Sequence, residues 1–111
     1  MTELELTKLK HATRVLDVFR AERPTMPLQH AYSFMLVAQE EGLSVSEYAK
    51  QAGVGQTTMT RHLLDIGLQT RKREPGLNLV MQRQDPLDLR RHQAFLTDKG
   101  RALLTRVLDC M

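Results

Sequence analysis

Apolar positions recur at helical spacing from the start of the chain. Within residues 4–21, Leu9, Ala12, Leu16 and Phe19 share one face. Thr2 and Glu5 stand at the spacing of a capping box, in which the hydroxyl accepts from a first-turn N–H and the carboxylate reaches back. The pattern predicts a first helix over about 3–21. The Pro24–Pro27 stretch interrupts it, and Pro27 suits the first turn of a second helix reaching about Glu41, with Leu28, Ala31, Met35 and Ala38 facing inward. Gly42 ends that helix. Ser44-Val45-Ser46-Glu47 is a second capping box and opens a short third helix to Ala52. Gly53 can adopt the left-handed conformation that turns the chain sharply, and a fourth helix begins near Gln56. Two helices joined by so tight a turn make a helix-turn-helix over about 44–67. Ala49 is small enough for the two to cross, while Tyr48, Ala52 and Val54 supply the apolar side of the third.

After Gly67 the period changes from helical to alternating. Leu77, Leu79 and Met81 point one way and Asn78, Val80 and Gln82 the other, which predicts a strand. Asp85-Pro86-Leu87-Asp88 carries turn chemistry, and a second strand through Arg90 to Leu96 completes a hairpin over about 77–96. Thr97 is placed to cap a last helix over about 98–110, with Asp98 at its positive end and Leu103, Leu104, Val107 and Leu108 as its apolar stripe. No internal repeat, low-complexity tract or long linker divides the chain, so residues 1–111 read as one domain. The predicted fold is mainly α with a small β hairpin: a winged helix-turn-helix with additional helices at both ends.

Composition narrows the class. Of 111 residues, 41% are hydrophobic and 26% charged, and no run approaches the roughly 20 apolar residues of a membrane span. The opening MTELELTKLK mixes acids with lysines and lacks the apolar core of a secretory signal, so the expected location is cytoplasmic. Cys110 is the one cysteine, which rules out an intrachain disulfide. With no cationic sequence neighbour to lower its pKa, it reads as an apolar residue of a terminal helix rather than a redox switch. His11, His30, His62 and His92 lie far apart, and neither a metal site nor a cofactor is expected.

The net charge is +3 and unevenly spread. Residues 1–50 hold six Lys and Arg against seven Asp and Glu; residues 51–111 hold ten against six. Within 71–91 alone stand Arg71, Lys72, Arg73, Arg83, Arg90 and Arg91. A basic segment of this kind is either a solvated surface or the footprint of a phosphate backbone.

On the fourth helix, Met59, Leu63 and Ile66 fall on one side, with His62 at the edge of that stripe. Thr57, Thr60, Arg61 and Leu64 fall on the other, with Gln56 and Thr58 in the first turn. Hydroxyl and amide groups can bond phosphates or base edges without the strong field that holds a protein at any sequence, and Arg can grip guanine with two bonds. Gln56, Thr57, Thr58, Thr60 and Arg61 are therefore the candidate DNA-reading residues. A plain polar surface is the alternative, and the glycine turn before this helix with the basic hairpin after it favours DNA. Leu64 is apolar on the outward face and fits either a sugar or thymine methyl or a covered neighbour.

The runs VSEYAKQAGVGQTTMTRHLLDIGL, DPLDLRR and LTDKGRALL resemble the MarR family of bacterial winged helix transcription regulators across about Ser44 to Leu104, the last run being the most specific. The resemblance implies a sequence-specific regulator of double-stranded DNA, a repressor, whose fourth helix enters the major groove. It implies that Asp88 orients Arg90 into the minor groove at the wing tip, with Arg71, Lys72, Arg73, Arg83 and Arg91 as further wing cations. It also implies a homodimer through the terminal helices; no effector pocket carries over to named residues. Two departures stand out. The segment from Gln69 to Gln84 is longer than the family's usual link into the wing, and the chain ends soon after its last helix begins. Asp88 with Arg90 otherwise reads as a surface ion pair of little energetic worth. The alternative function is a winged helix interaction or assembly module with no DNA role. An enzyme is the weakest reading, because the carboxylate pairs Glu40/Glu41 and Asp85/Asp88 have no nucleophile, phosphate loop or metal ligands beside them.

Overall fold

Local capping chemistry sets the helix starts before any packing does. In the computed structural model, which describes residues 1–111, Thr2 accepts from the Glu5 N–H while Glu5 accepts from Thr2. Ser44 and Glu47 repeat the exchange. These caps open α1 (Glu3–Glu22) and α3 (Val45–Ala52). Pro27 is the N-cap of α2 (Leu28–Gln39), and Gly53, at φ 70°, closes α3 in the left-handed conformation its sequence position requires. Next come α4 (Gln56–Asp65), the antiparallel hairpin β1 (Val80–Asp85) and β2 (Asp88–Leu96), and α5 (Asp98–Leu108), capped by Thr97. The order is that of a winged helix-turn-helix flanked by extra helices.

The core forms where α2, α3 and α4 meet and the base of the hairpin closes over them. Met59, Leu63 and Ile66 of the helix-turn-helix are fully buried, as their spacing predicts, and pack with Phe34, Val37, Tyr48, Leu79, Val80 and Leu103. Each large apolar side chain so buried contributes about 1.5–3 kcal/mol. Tyr48 also ties three elements together: its hydroxyl donates to the Glu40 carbonyl at 2.6 Å and accepts from the Leu43 N–H, beside the Ala94 carbonyl of β2. Glu41, just past the end of α2, accepts from the Leu96 N–H at 2.8 Å and pairs with Arg101, so it braces β2 and α5 against that helix end. Glu22 fastens α1 to α5 through Lys99 and Arg106.

Two sequence expectations are corrected, for α2 and for the start of the wing, while the stripe of α1 divides between core and surface. Of the first helix's stripe, only Phe19 is buried, its ring edge-on to Phe34 at 5.8 Å; Leu9, Ala12 and Leu16 are exposed on a helix that extends past the core. On α2 the buried side is His30, Ala31, Ser33, Phe34 and Val37, while Leu28 and Met35 face outward. Ala31 is buried and Ala38 half-buried as predicted, but the buried face is rotated towards His30, Phe34 and Val37. The strand predicted from Leu77 begins at Val80, because Asn78 takes φ 54°, which breaks the alternation and leaves Leu79 and Val80 both buried.

His30 links α2 to the helix-turn-helix. Its Nε2 lies 3.3 Å from Asp65 Oδ2, its ring packs edge-on to His62 at 5.3 Å, and its Nδ1 is buried without a partner. This contact explains His62 at the boundary of the α4 stripe. Burial lowers the His30 pKa from its ordinary 6.5; the Asp65 carboxylate opposes the shift, while His62 and Arg23 reinforce it. The unfolded chain therefore binds this proton more tightly than the folded one. Stability is full above the ordinary value and is lost as pH falls from about 6.5 through the lower folded value. Melting temperature followed over this window should decline, and His30→Gln should flatten the decline. Equal slopes in the two proteins would remove His30 as the source.

Candidate nucleic-acid interface

The outward face of α4 is free of packing. Gln56, Thr57, Thr58 and Arg61 are exposed and Thr60 is half-buried; Gln56 and Thr60 line one groove and Arg61 another, while Thr57 and Thr58 line neither. Leu64 does not join them. It is half-buried and lies beside Leu68, Val80 and Met81 at the seam between α4 and β1, so it covers a neighbour. Gly55, the N-cap of α4, has no side chain to bond the first-turn N–H groups, which leaves the positive helix end open to an acceptor from outside.

Beside this face the hairpin makes the second wall of an open groove of about 630 Å³, bounded by Gln56 and Thr60 of α4, Ser44 and Ser46 at the start of α3, and Arg90 and His92 of the wing. Only one lining residue, Val45, is hydrophobic. The groove's polarity and its open form suit a solvated, charged strand better than an apolar ligand.

The wing is a two-residue turn, Pro86-Leu87, and Leu87 N–H donates to Asp85 Oδ1 at 2.9 Å. Gln84 pairs with His92 but Asp85 pairs with Asp88, so Leu89, Arg90 and Arg91 form an irregular extra stretch of β2. Such a bulge re-aims side chains. Asp88 Oδ1 accepts from both the Arg90 backbone N–H at 3.1 Å and its Nε at 3.3 Å, while the Arg90 side chain is 93% exposed. The carboxylate thus fixes the root of an arginine whose head stays in solvent.

The other cations expected on the wing separate into different settings. Arg91 pairs with Glu47 of α3 and approaches Asp85, so it ties the wing to the helix-turn-helix. Glu47 in turn has a lowered pKa, chiefly through its bond from Ser44. Arg83 is on the wing with its guanidinium 4.8 Å over the Phe95 ring. Arg71, Lys72 and Arg73 are not on the wing. They stand in the loop between α4 and β1, where Arg71 and Lys72 lie beside the Asp65 end of α4 together with Arg23 from the turn before α2, and Arg73 is at the loop tip. Helical and strand periodicity cannot assign them, since the loop has neither. Sequence reasoning misses Arg23, Ser46, Gln82 and His92; a cation before Pro24 and polar residues on a strand carry no local signal of a shared site.

Comparison of the sequence with protein-family models and with curated proteins finds no match. The fold does have relatives among solved structures. A transcriptional regulator of Thermotoga maritima, Tm0710, superposes with a TM-score of 0.72 at 18% identity over 96% of this chain and 68% of its own. The transcriptional repressor CouR bound to a DNA duplex gives 0.59 at 24% identity, over 96% of this chain and 68% of its own. A variant of MepR from S. aureus bound to an oligodeoxyribonucleotide gives 0.64 at 19% identity, over 98% and 75%. MarR itself gives 0.65 at 18% identity, over 99% and 70%. The fold of this chain is thus a winged helix similar to that of these solved MarR-type regulators.

Proposed function

We propose that this protein is a sequence-specific double-stranded DNA-binding transcription regulator, a repressor, that acts as a homodimer. The carrying observation is the polar groove between the unpacked face of α4 and the wing, in which Gln56 and Thr60 oppose the Asp88-braced Arg90. Gln56, Thr57, Thr58, Thr60 and Arg61 read base edges in the major groove, and Arg90 enters the adjacent minor groove. Structural relatives solved with DNA support the reading.

The second copy meets the apolar surface that this chain leaves open. Leu9 and Leu16, each 52% exposed, continue the face on which Phe19 is buried, and Leu28, Tyr32, Met35, Leu108 and Met111 are also exposed. An apolar groove of about 260 Å³ runs between α2 and α5, lined by residues including Phe34, Met35, Leu104 and Leu108. Two copies joined there carry two recognition helices, and symmetric half-sites about 10 bp apart match them.

Selection of bound duplexes from a random pool tests the whole reading. A palindromic consensus with salt-dependent affinity is the expected outcome. Salt-independent or absent binding would instead leave an interaction module. Within the selected site, Arg61→Ala should cost about 1–3 kcal/mol and relax preference at one base position. A uniform loss across all sequences would reassign Arg61 to phosphate.

A further inference from the structure

The loop between α4 and β1 is built to stand away from the core. Its return is pinned to the end of α4, where Leu77, Asn78 and Leu79 N–H donate to the carbonyls of Asp65, Gly67 and Ile66. Between these pins the chain doubles back on itself: Gln69 pairs with Pro75, and Thr70 N–H donates to the Glu74 carbonyl at 2.8 Å. Arg73 turns the tip at φ 60°, and Leu68 at the base is 72% exposed. Backbone bonds hold the loop in shape while no buried side chain anchors its tip, so its sequence is free to serve something other than stability.

What the loop presents is charge. Arg71, Lys72 and Arg73 are exposed and have no carboxylate within ion-pair distance, and neither do Arg23 and Arg61. On the α5 side of the molecule, by contrast, Lys99, Arg101 and Arg106 are all matched to Glu22 or Glu41. Arg23, Arg61, Arg71 and Lys72 line one open cleft of about 560 Å³ with no hydrophobic lining residue. Of the two acids there, Glu74 lies on the loop itself and Asp65 already faces His30. Arg23 and the loop cations Arg71 and Lys72 thus converge, beside Arg61 of α4, on a polar space large enough for a backbone phosphate group, and no ion pair neutralises them.

The position of the cleft points the same way. The wing groove takes Gln56 and Thr60 from α4 and this cleft takes Arg61 and Asp65, so the two polar spaces adjoin along the same helix, the cleft towards its C-terminal end. We propose that residues 68–76 with Arg23 form a second clamp that binds DNA backbone phosphates, so that each protomer grips the strands on both sides of its recognition helix. This rests on the DNA-binding reading above. The clamp contributes affinity and register, and it is indifferent to base identity.

The experiment measures binding of the full chain to its selected duplex between roughly 50 and 200 mM salt, for wild type, the double variant Arg71→Gln with Lys72→Gln, and Arg23→Gln. Removing one phosphate-binding cation lowers the slope of log affinity against log salt by about 0.9, so the double variant should lose nearly two units and Arg23→Gln nearly one. Sequence preference should stay as in wild type, and Arg71→Lys should retain its slope. Circular dichroism and melting of the Arg71→Gln, Lys72→Gln variant should match wild type, because the loop tip packs against nothing, and Arg23→Gln is compared at a pH well above the His30 window so that only its salt slope is read. An unchanged slope in variants of a salt-sensitive wild type overturns the clamp and leaves the DNA reading intact. A changed base preference also overturns it, by assigning the loop to base edges. Wild type without salt-dependent binding overturns the DNA reading and the clamp together.

Discussion

A chain carrying Leu9→Glu and Leu16→Glu should sediment as a monomer and bind a two-half-site duplex about 100- to 10,000-fold more weakly than wild type. Both side chains are half exposed on the extended part of α1, so neither change opens a cavity in the folded protomer. Their circular dichroism should remain helical. The loss arises because two linked recognition helices bind the second half-site as an intramolecular event, an advantage that vanishes when the copies part. Carboxylates at the centre of an apolar contact carry a desolvation cost that the dimer cannot offset. Sedimentation at matched concentrations checks the assembly, and a titration against one half-site separates it from the DNA contacts. Half-site affinity should be unchanged; a variant that remains dimeric would remove the terminal helices from the interface.

The second large effect is on stability. Gly100 lies in the first turn of α5 with its Cα against the Leu79 backbone, where a Cβ would stand 2.0 Å from the Leu79 carbonyl oxygen. The obstacle is main chain, and that main chain is held: the Thr97 N–H donates to the same Leu79 carbonyl, the Thr97 hydroxyl donates to Asn78 O at 2.6 Å, and Lys99 Nζ donates to Leu77 O at 2.8 Å. Gly100→Ala must therefore push α5 away from the base of the wing. A cost of about 3 kcal/mol is expected, at the upper end for overpacking in a close-packed core, although alanine favours the helix itself. Urea unfolding of wild type and variant measures it. A change below about 1 kcal/mol, the lower end for overpacking, would mean that α5 shifts freely on Leu79.

The helix-turn-helix is largely legible in the sequence, and the reason is that its signals are local. Ser44 and Glu47 meet within one turn, Gly53 alone accommodates its φ, and Met59, Leu63 and Ile66 share a face whatever they pack against. The Asp88–Arg90 contact is equally local, spanning two residues of a tight hairpin. The wing cations are harder. Arg71 and Arg91 look alike in sequence, yet one lies in open solvent beside α4 and the other meets Glu47, 44 residues earlier in the chain. No pattern along the chain encodes that distance.

Where the helices start, which side of α4 is buried, and where the hairpin turns are all legible along the chain. These follow from backbone geometry and from the 3.6-residue period, both properties of a few neighbouring residues. The rotation of α2 is set by packing instead, which turns inward the side where Phe34 meets Phe19 and Val37 reaches the core. The tertiary structure also carried the chain after Gly67 back along the end of α4, which sets Arg71 and Lys72 beside Arg23 and Arg61. Both outcomes depend on contacts between distant segments, whose energies arise only once the elements are packed.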